Sequence, residues 1–292
     1  MAFFQNFNVG WQLGKQVRKL VFGDKKLLMY PVFIMVISIL ELGALFSIYF
    51  FSSGLSFMST NSQLAELLSI LEIFVAYLLI TFTATYGIIA MLIAFRAYSS
   101  GKEMGLVEAI SITSGYTKYI LEWAIFYAIV LMVLRMMSRN RMIGFMANLV
   151  GGIALSIATI FVVPVIIDNK LGPIAAIKLS AKTFIDNFGR TVGGIAFIDL
   201  YNLVFILVGV AIFAGGILAF SLTGSLFAFA YGYMIPIIAM AAGVLFIIFG
   251  ILMMYVSSNV YRFILYEFIN GKPLPNGIDE NLIKSQVPGA KG

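Results

Sequence analysis

The sequence predicts an all-α fold: a bundle of six membrane-spanning helices, both termini cytoplasmic, with amphipathic helices lying on that surface. Three observations carry the prediction. Of the 292 residues, 61% are hydrophobic and 11% charged, with a mean hydropathy of +1.02, whereas a soluble domain carries about 25% charged residues. Six apolar runs fill most of the chain, each long enough to cross a hydrocarbon layer of roughly 30 Å at about 20 residues a crossing. Finally, Lys and Arg gather in alternate connections: of the 19, all but Arg135, Arg139 and Arg141 fall on one side, which the positive-inside rule assigns to the cytoplasm.

Residues 1–26 interleave Phe3, Phe4, Phe7, Trp11, Val17 and Val21 with Lys15, Arg18 and Lys19. That is a basic amphipathic segment suited to a lipid surface. It lacks the small-residue cleavage site of a secretory signal, so the first span is expected to remain as an anchor. The membrane domain covers 27–268, with spans at about 27–51, 68–95, 119–136, 142–167, 191–222 and 233–260. Pro164 and Pro236 fall inside two of these spans, where a missing N–H shapes the helix. Residues 269–292 form a polar tail with Pro273, Pro275, Gly277 and Pro288, and it is expected to be loose.

The fourth span leads into a two-sided helix that starts at Pro173, a residue tolerated at a helix start because its absent N–H has no intrahelical partner there. Ile174, Ile177, Ala181, Phe184 and Phe188 recur at spacings of three and four and predict the lipid-facing stripe. Lys170, Lys178, Lys182 and Arg190 are placed to meet anionic headgroups. GLVEAISIT at 105–113 aligns with GPIAAIKLS at 172–180. This repeat implies a unit of span, cytoplasmic surface helix and span, used twice in one orientation.

The chain has no Cys and no His, which removes disulfides, thiolate chemistry, Ser-His-acid triads and the usual zinc sites. No catalytic, cofactor-binding or metal site is expected, and the chain is read as non-enzymatic. The net charge of +6 sits in short loops where topology and anionic lipid account for it, so nucleic acid is not an expected partner. Membrane lipids are, together with a protein partner or a second copy of the chain.

Ionisable residues inside spans are costly and mark either function or pairing. The candidates are Glu41, Glu72, Glu122, Arg135 and Asp199. One reading makes Glu41, Glu72 and Asp199 a proton or cation relay. The other, favoured because no histidine is present to pass protons near neutral pH, pairs Glu41 or Glu72 with Arg135 and leaves Glu122 and Asp199 near headgroups. Small residues at every fourth position, Ala147 and Gly151, Ala211, Gly215 and Ala219, and Ala239 and Gly243, allow close backbone approach. Packing within one chain is the favoured use, a dimer seam the alternative.

Several stretches, WQLGKQVRKLVFGDKKLLMYPV, ILEWAIFYAIV, FVVPVIIDNKLGPIAAIKLSAKTFIDNFGR and YEFINGKPLPNGID, resemble a family of six-span archaeal and bacterial integral membrane proteins, a domain of unknown function. A looser likeness, confined to the central VVPV to FG stretch, extends to membrane domains attached to glycerophosphodiester phosphodiesterases. The resemblance implies a fold and a membrane location and carries no catalytic residues. The expected function is a structural or partner-binding membrane component in contact with lipid. The alternative is a small transporter or channel using the intramembrane carboxylates.

Overall fold

The computed structural model describes residues 2–58, 62–137, 151–226 and 233–285. Every element in them is helical. Six helices are long and apolar enough to cross a membrane: Lys25–Phe50, Glu66–Ser99, Leu106–Met137, Gly152–Asn169, Asn202–Ser221 and Met234–Ile269. Ala147, Arg139 and Arg141 lie outside the described residues, as does the start of the expected fourth span. The chain divides into two compact units, one of Met1–Leu28, Gly189–Tyr261 and Leu274–Gly292, the other of Met29–Phe188 and Arg262–Pro273.

The first unit holds α1 (Ala2–Gly23), most of α9 (Phe188–Leu226), the first part of α10 (Met234–Ile269) and α11 (Glu280–Ser285). Val17 and Val21 of α1 are fully buried, as is Ile283 of α11. Gln16 accepts the Asp279 N–H at 2.9 Å, and Asp279 Oδ1 accepts the Asn281 N–H at 2.9 Å. The tail is therefore docked as far as Ser285. Its one central apolar side chain and an Asx-type turn outweigh the prolines that suggested a loose segment.

Backbones in α9 and α10 approach closely at glycines. A Cβ on Gly209 would stand 2.8 Å from Ile247 N, one on Gly216 2.9 Å from Met240 N, one on Gly243 2.6 Å from Phe213 N, and one on Gly250 3.0 Å from Ile206 N. Gly243 thus does what its spacing suggested. Gly215 does not: nothing lies within 4 Å of its Cβ position, and Ala211 and Ala219 are exposed with it. The seam repeats every seven residues, at 209/216 and 243/250, the period of helices packed at a shallow left-handed crossing. Pro236 is the third residue of α10 and so lies in the first turn, where its missing N–H breaks no helical bond.

The second unit contains α2 (Met29–Met58), α3 (Ser62–Ser99), α4 (Leu106–Thr113), α5 (Thr117–Met137), α6 (Gly152–Thr159), α7 (Val162–Asn169), α8 (Pro173–Asp186) and the last turns of α10. Its fully buried side chains, among them Ile89, Met91, Leu92, Phe95, Ile120, Phe161, Ile166 and Phe263, gather where α3, α7 and α10 end. Phe95 meets Phe263 edge-on at 6.4 Å. The outer parts of α2 leave Leu40, Phe46 and Phe50 exposed, as lipid-facing residues are.

The fourth apolar run is broken. Pro164 cannot bond the Ile160 carbonyl and its ring crowds it, and the chain leaves helical geometry at Phe161 (φ −108°, ψ 9°) before α7 begins. The freed Phe161 N–H is taken by the Ser180 hydroxyl of α8 at 2.9 Å, both groups buried. Ser180→Ala, which leaves that N–H unpaired in the core, is expected to cost about 1–3 kcal/mol, read as a lower midpoint in SDS or thermal unfolding of the detergent-solubilised protein.

The two aligned segments at 105–113 and 172–180 adopt one local structure. Both helices start directly after a glycine in extended conformation, Gly105 (φ −80°, ψ 160°) and Gly172 (φ −67°, ψ 167°). The equivalent Ala109 and Ala176, and Thr113 and Ser180, are all fully buried, while the equivalent Val107 and Ile174 are 79% and 62% exposed. In α8 the buried face is Ala176, Ser180, Thr183 and Phe184, rotated from the stripe that hydrophobicity picked out. Small and hydroxyl side chains bring α8 close to α6 and α7, and Ile174 and Ile185 turn outward beside Lys178 and Lys182.

Candidate functional site

Three helices of the second unit end near one another, and the residues that end them form the densest polar constellation among the described residues. α3 and α10 stop by the same device. Gly101 (φ +75°) and Gly271 (φ +73°) take the left-handed conformation that only glycine adopts without steric cost. The Lys102 N–H then reaches the Ala97 carbonyl at 3.0 Å and the Lys272 N–H the Glu267 carbonyl at 2.9 Å, the closing bonds of a Schellman turn. α7 ends instead on Lys170 (φ +48°), whose ammonium sits 5.2 Å from the centre of the Tyr116 ring.

These terminations place four charges in a closed circuit. Arg96 Nη2, one turn before the end of α3, donates to Asp168 Oδ1 at 2.6 Å and lies 2.8 Å from Glu267 Oε1, which also accepts from Arg96 Nε at 3.0 Å. Lys272 Nζ donates to Asp168 Oδ2 at 2.5 Å and stands 3.7 Å from Glu267 Oε1. The carboxylates are the inner members, with side chains 14% and 11% exposed for Asp168 and Glu267, against 36% for Arg96 and 40% for Lys272. The Arg96 guanidinium also lies over the Phe263 ring, 4.8 Å from its centre. At the edge, Asn169 Nδ2 donates to the Tyr266 hydroxyl at 2.9 Å, and the Tyr266 ring rests on Phe161 at 6.0 Å.

The electrostatics follow from helix ends. A carboxylate at a helix C-terminus opposes the macrodipole and a cation complements it, so Asp168 and Glu267 need Arg96 and Lys272 beside them. Charge-assisted bonds in a half-dry setting are short and strong. Both Asp168 oxygens and Glu267 Oε1 are occupied, which leaves the pair poorly placed to act as general bases. The arrangement ties together the ends of three helices far apart in sequence.

The residues singled out by sequence are dispersed rather than gathered. Thr83 Oγ1 of α3 donates to Glu41 Oε1 of α2 at 2.5 Å, so the observed partner of Glu41 is a hydroxyl and not Arg135. Glu41 Oε2 is buried with no hydrogen-bond partner among the described residues. Glu72 lines a groove of about 440 Å³ with Leu42, Phe46 and Tyr49; it sits eleven residues before Thr83, about 16 Å along α3, so the two acids do not meet. Glu122 stands 4.0 Å from Lys118 and beside Gly172 at the start of α8. Asp199, in the first unit, accepts the Ser258 hydroxyl. Arg135 is exposed at the end of α5 and shares a groove with Glu66. Of the headgroup candidates, Lys178 and Lys182 are exposed on α8, Lys170 packs on Tyr116, and the Arg190 side chain lies outside the described residues.

Arg96, Asp168, Glu267 and Lys272 went unnoticed in the sequence as a group. The available signal was that the second and fourth apolar runs end directly on Arg96 and Asp168, that Glu267 and Lys272 follow the sixth within twelve residues, and that alternate spans must end on the same side.

No curated protein and no solved structure matches the chain, and the looser likeness to membrane domains of glycerophosphodiester phosphodiesterases is not supported. The family of unknown function DUF6159 matches residues 64–271, a stretch from the start of α3 to the end of α10 that takes in Arg96, Asp168 and Glu267. The match covers well over half of the sequence, and the chain belongs to that family.

Proposed function

We propose that the chain is a non-enzymatic, multi-pass component of the cell membrane, with both termini cytoplasmic, that works by holding a protein partner and lipid. The observation that carries this reading is the use made of its ionisable groups: those at the ends of α3, α7 and α10 brace one another, and the acids within helices have separate, local partners. The outward face of α8, with Lys178 and Lys182 beside Ile174 and Ile185, supports contact with headgroups and acyl boundary together. Pull-down of the tagged protein from native membranes in mild detergent, read by mass spectrometry, tests the proposal. A stoichiometric protein partner is the expected result, and a partner-free protein sinks the scaffold role.

A second reading, a small transporter or channel, is favoured by the unbonded Glu41 Oε2. Under the scaffold reading Glu41→Gln leaves both the unfolding midpoint and proteoliposome ion flux at wild-type values. Loss of a wild-type flux in a variant that folds normally would replace the scaffold with the transporter.

A further inference from the structure

We propose that the groove between α3, α5 and the break in the fourth apolar run binds the ring of an isoprenoid quinone, its two carbonyl oxygens on the hydroxyls of Thr81 and Thr85 and its ring beside Trp123. The groove encloses about 340 Å³, within the range of about 300–1,000 Å³ usual for ligand clefts. One wall is a line of hydroxyls on α3, Tyr77, Thr81 and Thr85, at every fourth residue. The facing wall is Trp123 and Tyr127 of α5, whose ring centres are 5.4 Å apart. Thr159 and Val162, on either side of the break at Phe161, complete it. The described lining stops at Leu131, about one turn deeper than Leu134, which meets Gly151, and all of it belongs to the second unit.

The donors of this groove are set apart from hydroxyls elsewhere in the chain. Ser47, Thr113 and Ser221 each donate to a carbonyl three or four residues back in their own helix. Thr81, Thr85 and Tyr77 donate to no described residue, and neither does the Trp123 indole N–H. Thr85 is 4% exposed and Trp123 6%, and both line the groove. An unpaired donor in hydrocarbon is costly, and an occupant that brings acceptors removes the cost. Depth then selects the occupant. Thr81 and Thr85 straddle the middle of the Glu66–Ser99 crossing, which the esters and headgroups of bilayer lipids do not reach. An acyl chain reaches it but has no acceptor, and a sterol or polyprenol has one hydroxyl, drawn to the interface. A para-quinone dissolves in the hydrocarbon and is flat enough to lie against indole and phenol rings. Its two acceptor oxygens stand on opposite edges of the ring, a separation close to the about 6 Å between residues four apart on a helix. The described lining holds no charged side chain, in keeping with a neutral ring. The assignment is of binding, with no redox step, and it rests on the membrane reading and is independent of the scaffold role.

The chain has two tryptophans, Trp11 and Trp123, so Trp11→Phe leaves Trp123 as the only indole and makes its emission the reporter. The test is titration of decylubiquinone into the full-length Trp11→Phe protein in mild detergent, with decanol, the same chain without the quinone ring, as the competitor. Saturable quenching of Trp123 at one quinone per chain is expected, and decanol should not reverse it. Thr81→Val and Thr85→Val keep the shape of the side chain and remove the donor, and each should weaken binding about three- to tenfold, the scale of one neutral hydrogen bond. Ala84→Trp, which fills the groove between them, should abolish the saturable phase. Unfolding midpoints at the wild-type value for the two valine variants separate lost binding from lost fold, whatever Ala84→Trp does. Quenching that rises linearly with quinone, as from molecules dissolved in the micelle, would overturn the assignment. So would displacement by decanol, which would make the groove a seat for an acyl chain, or binding unchanged in Thr81→Val and Thr85→Val together.

Discussion

Arg96→Gln is expected to cost about 2–4 kcal/mol of stability, less than the ~3–5 kcal/mol seen when a fully buried pair loses one member, because the Arg96 side chain is 36% exposed. The substitution keeps a polar side chain, but one that ends two bonds short of Nη2, and removes the charge that both carboxylates face. Asp168 and Glu267, 14% and 11% exposed, are left with Lys272 alone, 2.5 Å from the first and 3.7 Å from the second. The cation–π contact on Phe263 goes with it. The loss should appear as a lower unfolding midpoint in SDS titration of the purified protein. The informative measurement is the double variant: Arg96→Gln with Asp168→Asn should be more stable than the sum of the two single effects by about 1–2 kcal/mol, the coupling usual for members of one network. Strict additivity would mean the four charges are neighbours without being a brace.

The six-helix architecture was legible because run length and hydropathy report directly on the membrane-crossing requirement that each backbone group be bonded within its own helix. The break near Phe161 was half legible: Pro164 announces it, but its repair by Ser180 joins residues 19 apart and no local pattern encodes it. The face of α8 was misjudged for a reason particular to membranes. Where lipid is as apolar as Leu, hydrophobicity cannot say which side of a helix meets protein, and close packing favours small residues. Thus Ala176, Ser180 and Thr183 turn inward and Ile174 and Ile185 outward. The charge network was hidden by distance in sequence, since Arg96, Asp168 and Glu267 each look like an ordinary polar span end until the helices are assembled. Glu41 attracted attention as an isolated acid, yet its partner Thr83 is a residue that carries no signal in a hydropathy profile.

The same distinction between packing and polarity makes glycine the residue to test in the first unit. Gly243→Ala places a Cβ 2.6 Å from Phe213 N and 2.8 Å from Phe213 Cα, backbone atoms that move only if α9 and α10 separate. A methyl cannot be absorbed there by a rotamer change, and overpacking of this kind costs about 1–3 kcal/mol or somewhat more, from which the roughly 1 kcal/mol gained by replacing a mid-helix glycine with alanine must be subtracted. A net loss of about 1–3 kcal/mol is therefore expected, and Gly243→Val, which adds β-branching at the same contact, should prevent recovery of folded protein. Gly215→Ala is the matched control. It lies in the same pair of helices, at one of the four-residue spacings that looked like a seam, but its Cβ meets nothing within 4 Å, so only the propensity gain remains and the variant should match or exceed the wild-type midpoint. Opposite signs from two Gly→Ala changes in one helical pair would locate the α9–α10 contact on the seven-residue seam. If Gly215→Ala were the damaging one, the stripe of Ala211, Gly215 and Ala219 would have to be in contact with another protein surface, and the seam that holds this unit together would need to be drawn on the other face of α9.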